Sequence, residues 1–371
     1  MITEPKLSET NQGDVTCTSC GAHLKYKPGS SSLTCEFCGA EVDIEVSEES
    51  IQEIDFDKFL SDHSDNLVQH QVSTVQCQGC GAHVTFDPNI ISDHCPFCVS
   101  VIIVKHCEQE TQIRPGSILP FSIDSKQAYT EFAKWVKKLW FAPNDLKKFV
   151  VQHDLLQGIY VPYWTYDSKT FTKFTGQRGD NYTTTQTYTT VENGKTVTRT
   201  RTVTKIRWTP VSGNFDKFFD DILVLASKSL PKKYADRLTP WDLDNLVVYN
   251  PKFLSGYRTE TYQVPLKDGF DSAQNLMDEA IRLETRSRIG GDHQRIFTLH
   301  SKYNDVTFKH ILLPVWISAF RYKKKVYRFL INGRTGEVQG ERPYSVAKII
   351  LAVIAGIALI GILALAISAS A

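Results

Sequence analysis

Cys17-Thr-Ser-Cys20-Gly-Ala-His23 returns sixty positions later as Cys77-Gln-Gly-Cys80-Gly-Ala-His83. Each copy is followed, after fourteen intervening residues, by a second pair, Cys35-Glu-Phe-Cys38 and Cys95-Pro-Phe-Cys98. Such self-similarity marks an internal duplication. Two thiolates three positions apart ligate one ion from a tight knuckle, and two knuckles close a tetrahedral four-thiolate site. Gly21, Gly39 and Gly81 follow three of the four pairs and suit the left-handed turn that a knuckle needs, whereas Val99 stands in the fourth. The expected cofactor is Zn2+ at two structural sites, Cys17/Cys20/Cys35/Cys38 and Cys77/Cys80/Cys95/Cys98, with His23 and His83 outside the ligand sets. The strands around the knuckles, 23–27, 41–46, 83–87 and 101–105, are each too short for a core of their own, so metal is expected to supply much of the folding free energy. Cys107 is expected to be a small buried apolar residue.

Outward from the ribbons, residues 1–14 are polar, with no apolar segment of the secretory kind. A reducing compartment is therefore expected, where paired cysteines hold metal rather than form disulfides. Between the ribbons, residues 41–65 carry ten acidic residues and one lysine, Lys58. That charge repels phosphate and favours a protein-docking role, with Ile51, Ile54, Phe56, Phe59 and Leu60 on one short amphipathic helix.

The remainder reads as α+β. A strand is expected over 118–123, a helix capped by Asp124 or Ser125 runs to about 140, and a second follows Ala142-Pro143-Asn144-Asp145. Gly158-Ile-Tyr-Val-Pro-Tyr-Trp-Thr-Tyr-Asp167 opens a β-rich region. Glu192-Asn193-Gly194-Lys195 sits at the tip of a long hairpin over 183–208. Lys195, Arg199, Arg201, Lys205 and Arg207 are all odd-numbered, so a two-residue period gathers them on one strand face, opposite Thr196, Thr198, Thr200, Thr202 and Thr204. This cationic ribbon can meet lipid headgroups or nucleic acid, or can simply keep a long hairpin solvated. A helix over 271–287, with Ala273, Leu276, Ala280 and Leu283 inward, ends at Ile289-Gly-Gly-Asp292 and is followed by strands over 294–300, 309–317, 318–322 and 325–331. Val161-Pro162-Tyr163-Trp164 and Leu313-Pro314-Val315-Trp316 share a pattern.

Enzymatic activity is not expected. Gly194-Lys195-Thr196 lacks the glycine five residues earlier, where Thr189 stands, and lies on a hairpin rather than a strand-to-helix loop. His153 has no evident partner.

Residues 346–367 form an almost unbroken apolar run whose one charge is Lys348, and 22 residues at ~1.5 Å each match a ~30 Å hydrocarbon layer. With Arg342 and Lys348 on the N-terminal flank, a single-pass cell-membrane protein is expected, its soluble body in the cytoplasm.

The twin ribbons, Phe141-Ala-Pro-Asn-Asp-Leu146, the Gly158–Asp167 stretch, Ile289-Gly-Gly-Asp292, Leu312-Leu-Pro-Val-Trp316 and Asn332-Gly-Arg-Thr-Gly336 together resemble bacterial membrane-anchored double zinc-ribbon proteins. These are often labelled primosomal protein N′ (replication factor Y), the replication-restart helicase, although a helicase needs a phosphate loop that this chain lacks. The resemblance implies a scaffold that recruits cytoplasmic partners to the membrane, among them phage-shock-like or virion-core-like proteins and a related zinc-ribbon membrane protein in membrane-stress modules. It implies no catalytic residue and no small-molecule substrate.

The expected organisation is ribbon 1 over 1–45, acidic connector over 46–72, ribbon 2 over 73–107, an α+β domain over 108–345 and a transmembrane helix over 346–367. The 42 Lys and Arg against 41 Asp and Glu, and the mean hydropathy of −0.24, exclude a globally basic nucleic-acid binder and a disordered chain. Docking of a partner protein is the leading expectation, and nucleic-acid binding through the cationic hairpin its alternative.

Overall fold

The computed structural model describes residues 15–47, 49–61, 69–85, 92–103, 108–143, 146, 156–192, 194–322, 325–342 and 344–370, the side chains of 69–70, 92, 103, 108, 192, 320–322, 363–365 and 368–370 excepted. Cys107, His153 and the helix start at 144–145 fall outside the described residues.

Three long strands organise the molecule. β3 (Gln157–Glu192) pairs antiparallel with β4 (Lys195–Leu225) on one side and with β7 (His293–Tyr322) on the other. Short strands complete the sheet: β1 (Ile54–Asp55), β2 (Ser117–Ile118), β5 (Val247–Val248), β6 (Arg258–Thr259), β8 (Lys325–Asn332) and β9 (Val338–Gly340). The strand expected over 118–123 shrinks to β2, and the separate strands expected over 294–322 are one continuous β7. Val161 lies opposite Leu313 and Pro162 opposite Leu312, so the two similar Pro-containing motifs are cross-strand neighbours.

Strand alternation makes this sheet two-sided. Tyr160, Leu312 and Trp316 point to one face, where ribbon 1 packs through Leu24, Tyr26, Leu33 and Ile44. Ile159, Val161, Tyr163, Leu313 and Val315 point to the other, where ribbon 2 packs through Val75, Ala82, Val84, Phe97 and Ile102. The ribbons therefore clasp one sheet from opposite sides, and their apolar support comes from it.

Three helices cover the ribbon 1 face or lie along it. α1 (Phe56–Ser61) buries Phe56 and is shorter than the expected connector helix, since Ile51 lies before it and Ile54 sits on β1. α2 (Ser125–Lys137) starts with a capping box, Asp124 Oδ1 accepting from Gln127 N (2.8 Å) and Asp124 N donating to Gln127 Oε1 (3.1 Å), and buries Ala128, Phe132 and Val136. α3 (Leu266–Ile289) buries Ala273, Met277 and Ile281 against Trp164, Phe174 and Phe215. Its inner stripe differs from the expected one, since Leu276 and Leu283 are exposed. Gly269 admits this helix: a Cβ there would collide with Tyr166 and Trp164.

α4 (Val346–Ser370) is the apolar C-terminal helix. Its root is tied to the body, Ser345 N donating to Phe141 O (2.8 Å) and Lys348 Nζ to Ala142 O (2.7 Å). Among the described residues no helix is long and apolar enough to cross a membrane. The expected α+β fold closed by one transmembrane helix over 346–367 is thus corrected to a β-rich fold with no such span among the described residues, and the expected single-pass membrane location with a cytoplasmic body is corrected with it.

Candidate metal centres and the charged sites of the sheet

All four knuckles share one backbone pattern. The amide four residues after the first cysteine donates back to its carbonyl: Gly21 to Cys17 (2.8 Å), Gly39 to Cys35 (2.9 Å), Gly81 to Cys77 (2.7 Å) and Val99 to Cys95 (2.9 Å). The donors take φ values of 77°, 74°, 77° and 63°. Val99 thus adopts the glycine conformation despite a branched Cβ, which costs ~1–2 kcal/mol. Val99→Gly is expected to raise stability by about 0.5–1 kcal/mol, because relief of that strain exceeds the greater unfolded-state entropy of glycine. Denaturant unfolding checks this, and a lower midpoint in the variant would refute it.

The sulfurs converge in two groups, all Sγ atoms of each within 4.8 Å of one another. Cys17–Cys38 and Cys20–Cys35 are both 3.5 Å apart, Cys77–Cys98 and Cys80–Cys95 both 3.6 Å. These spacings exclude disulfides and approach the ~3.8 Å edge of a tetrahedron of sulfurs about 2.3 Å from a central ion. Both groups can therefore hold a metal ion. They differ in shelter: Cys20 and Cys38 of the first are exposed, whereas Cys77, Cys95 and Cys98 of the second are buried and Cys80 half-buried. Neither His23 nor His83 joins a ligand set, and His83 Nδ1 lies 2.8 Å from Glu110 Oε1.

Ribbon 2 meets the sheet through Glu260. Thr85 N donates to Thr259 O (2.9 Å), Thr261 N to His83 O (3.2 Å), and Ser227 Oγ to Glu260 Oε1 (2.9 Å). Burial pushes the Glu260 carboxyl up to about 8, so it stays a neutral acid at pH 7.

A second charged cluster lies where all three long strands break register together. β3 shifts against β4 between Tyr166 and Ser168 and against β7 between Asp167 and Lys169, while Asp221 and Asp305 take φ values of 47° and 49°. These bulges gather groups that no single segment contains. Lys309 Nζ contacts Asp221 Oδ1 (2.8 Å) and Glu53 Oε1 (3.3 Å), Asp167 Oδ1 accepts from Asp221 N (2.7 Å), and Glu53 Oε2 accepts from Thr307 Oγ1 (2.8 Å). Burial raises the Asp167 carboxyl to about 7, helped by Glu53 beside it. Burial opposes ionisation of Glu53 too, but hydrogen bonds from Asp167 and Thr307, with Lys309 nearby, hold it below its usual range. The cluster pins the acidic connector, through β1, to the sheet.

The cationic hairpin is longer than expected, since β3 and β4 stay paired from Tyr163↔Leu225 to Glu192↔Lys195. β7 ends opposite Gly179, so Asp180–Glu192 and Lys195–Arg207 continue as a bare two-stranded arm. Lys195, Arg199, Arg201, Lys205 and Arg207 share one face with Tyr182, Gln186 and Tyr188. The Ile289-Gly-Gly-Asp292 motif serves the arm's root: Gly290 and Gly291 take φ values of 67° and 76° to end α3, and Asp292 Oδ2 accepts from Asn181 N (2.7 Å). Neither this role of Asp292 nor the Glu53–Asp167–Asp221–Lys309 cluster has a local sequence signature.

The chain is 25% identical over 349 residues to a Bacillus subtilis (strain 168) protein described as uncharacterized protein YdjG, covering 90% of this chain and 91% of that one. No family model matches, and no solved structure matches.

Proposed function

We propose that this chain is a non-enzymatic, zinc-stabilised scaffold that docks protein partners through the outer rim of ribbon 1 and the acidic connector behind it. Zn2+ suits both centres, because four thiolates in a closed tetrahedron favour a soft ion without a demand for open coordination. A closed centre leaves no position for substrate, so the ion's contribution is to hold each pair of knuckles together.

The observation that carries the docking reading is Phe37. It lies at the tip of the second knuckle, 83% exposed. Beside it, the strand Glu41–Asp43 forms the edge of the ribbon 1 sheet, with all three residues exposed. Glu45 and Val46 extend this rim. An aromatic anchor next to an open acidic edge favours a partner with an apolar pocket and basic flanks. Phage-shock-like proteins are the first class to test, on the strength of the resemblance.

The test compares affinity-purified wild type with Phe37→Ser. A specific partner is expected with wild type and lost by at least tenfold with the variant, whose metal content stays at about two ions per chain. Equal recovery of every co-purifying protein would end the proposal.

A further inference from the structure

We infer that the Asp180–Arg207 arm is a DNA-binding β-ribbon, which seats its cationic face in the major groove of duplex DNA. This uses a different surface from the rim of ribbon 1 and does not rest on it.

The first observation is reach. Thirteen residues per strand at ~3.4 Å extend the arm about 44 Å past the end of β7. None of its described side chains is buried, although they include Tyr182, Tyr188, Val191, Val197 and Ile206. The arm also points away from both ribbons, since Tyr160 at their level lies twenty strand positions before Asp180.

Charge and chemistry are the second. Five of the arm's side chains are cationic and share one face, and its acids are Asp180 at the root and Glu192 at the tip. Asp180 is held by Arg178 (2.9 Å). Arg201 donates from Nε and Nη2 to Gln186 Oε1 (3.1 and 2.9 Å) and lies 5.6 Å from the centre of the Tyr188 ring, while Arg207 lies 5.2 Å from that of Tyr182. An amide and two aromatic faces position these guanidiniums without neutralising them, which leaves their charge for an anion. The opposite face carries nine threonines, at 183, 185, 187, 189, 196, 198, 200, 202 and 204. Their branched side chains keep the isolated ribbon extended, and their hydroxyls keep the face turned away from the groove solvated.

Shape selects the polymer. A two-stranded ribbon fits the ~12 Å major groove of B-form DNA, whereas the deep, narrow groove of A-form RNA excludes it. Arginine is also the side chain that most often reads guanine there.

The experiment titrates the full zinc-loaded chain against a labelled DNA duplex of about 30 base pairs at several salt concentrations. Wild type is expected to bind at about 50 mM salt with a log–log salt slope near −4 to −5, as about five phosphate contacts require. The Arg201→Gln, Arg207→Gln double variant should bind at least tenfold more weakly with a slope reduced by about 2. It should retain its metal content, its unfolding midpoint and any partner bound at Phe37, since both side chains are exposed. Absence of DNA binding, or equal binding by the variant, would overturn the inference. So would equal affinity for duplex RNA, for polyglutamate or for phosphatidylglycerol vesicles, because each would show a polyanion surface rather than a groove reader.

Discussion

Cys95→Ser is expected to cost several kcal/mol and to lower the metal content by one ion, because a structural tetrathiolate centre contributes on the order of 10 kcal/mol, comparable to the whole stability of a domain. Cys95 is buried in the same core as Val84, Phe97, Ile102, Val161 and Leu313. Loss of the ion leaves buried thiols without their common ligand and loosens the ribbon that seals one face of the sheet. Cys20→Ser also removes an ion but should cost less, because that sulfur is exposed. The same contrast predicts the order of metal release. A thiol reagent with a chromophoric chelator should release metal in two phases of equal amplitude, the Cys17/Cys20/Cys35/Cys38 centre first. One phase, or an equal cost for the two serine variants, would contradict the difference in shelter.

Asp167→Asn should stabilise the protein increasingly as pH rises. Burial holds the Asp167 carboxyl up at about 7 in the folded state, well above the ~3.9 of a free aspartate. Between these values the folded chain holds a proton that the unfolded chain has released, so wild-type stability falls as pH rises through the window and levels off above about 7. Asparagine reproduces the neutral acid: it can still accept from Asp221 N and donate to Glu53, and it carries no charge to desolvate. The advantage of the variant should grow by about 2 kcal/mol between about pH 5.5 and pH 8. Urea unfolding at the two pH values measures it. Glu260, raised to about 8 by burial, gives wild type and variant a similar downward slope, so the difference between them isolates Asp167. A constant difference between the two chains would show that Asp167 is ionised throughout.

The ribbons were legible because their chemistry is local: each knuckle is complete within six residues, and the repeat shows which knuckles belong together. The N-cap of α2 was legible for the same reason, Asp124 being one of the two residues expected there, whereas the reciprocal bond from Gln127 came from the structure. On α3, two stripes satisfy helical spacing, and the aromatic floor of Trp164, Phe174 and Phe215 selects Met277 and Ile281 over Leu276 and Leu283. Periodicity alone cannot make that choice. At the C-terminus, counting apolar residues overstated what α4 can do, since no helix among the described residues is long and apolar enough to cross a membrane.

By itself, then, the sequence determined both four-cysteine sets, the hairpin turn at Gly194 and the one-sided row of Lys195, Arg199, Arg201, Lys205 and Arg207, all consequences of spacing along one or two neighbouring segments. Only the tertiary structure decided that the ribbons clasp opposite faces of one sheet, that Glu53, Asp167, Asp221 and Lys309 meet at a shared line of bulges, and that the arm begins where β7 stops opposite Gly179. Those features arise from strand register and from surfaces more than a hundred residues apart, and register is set by the packing of the whole sheet rather than by any stretch of it.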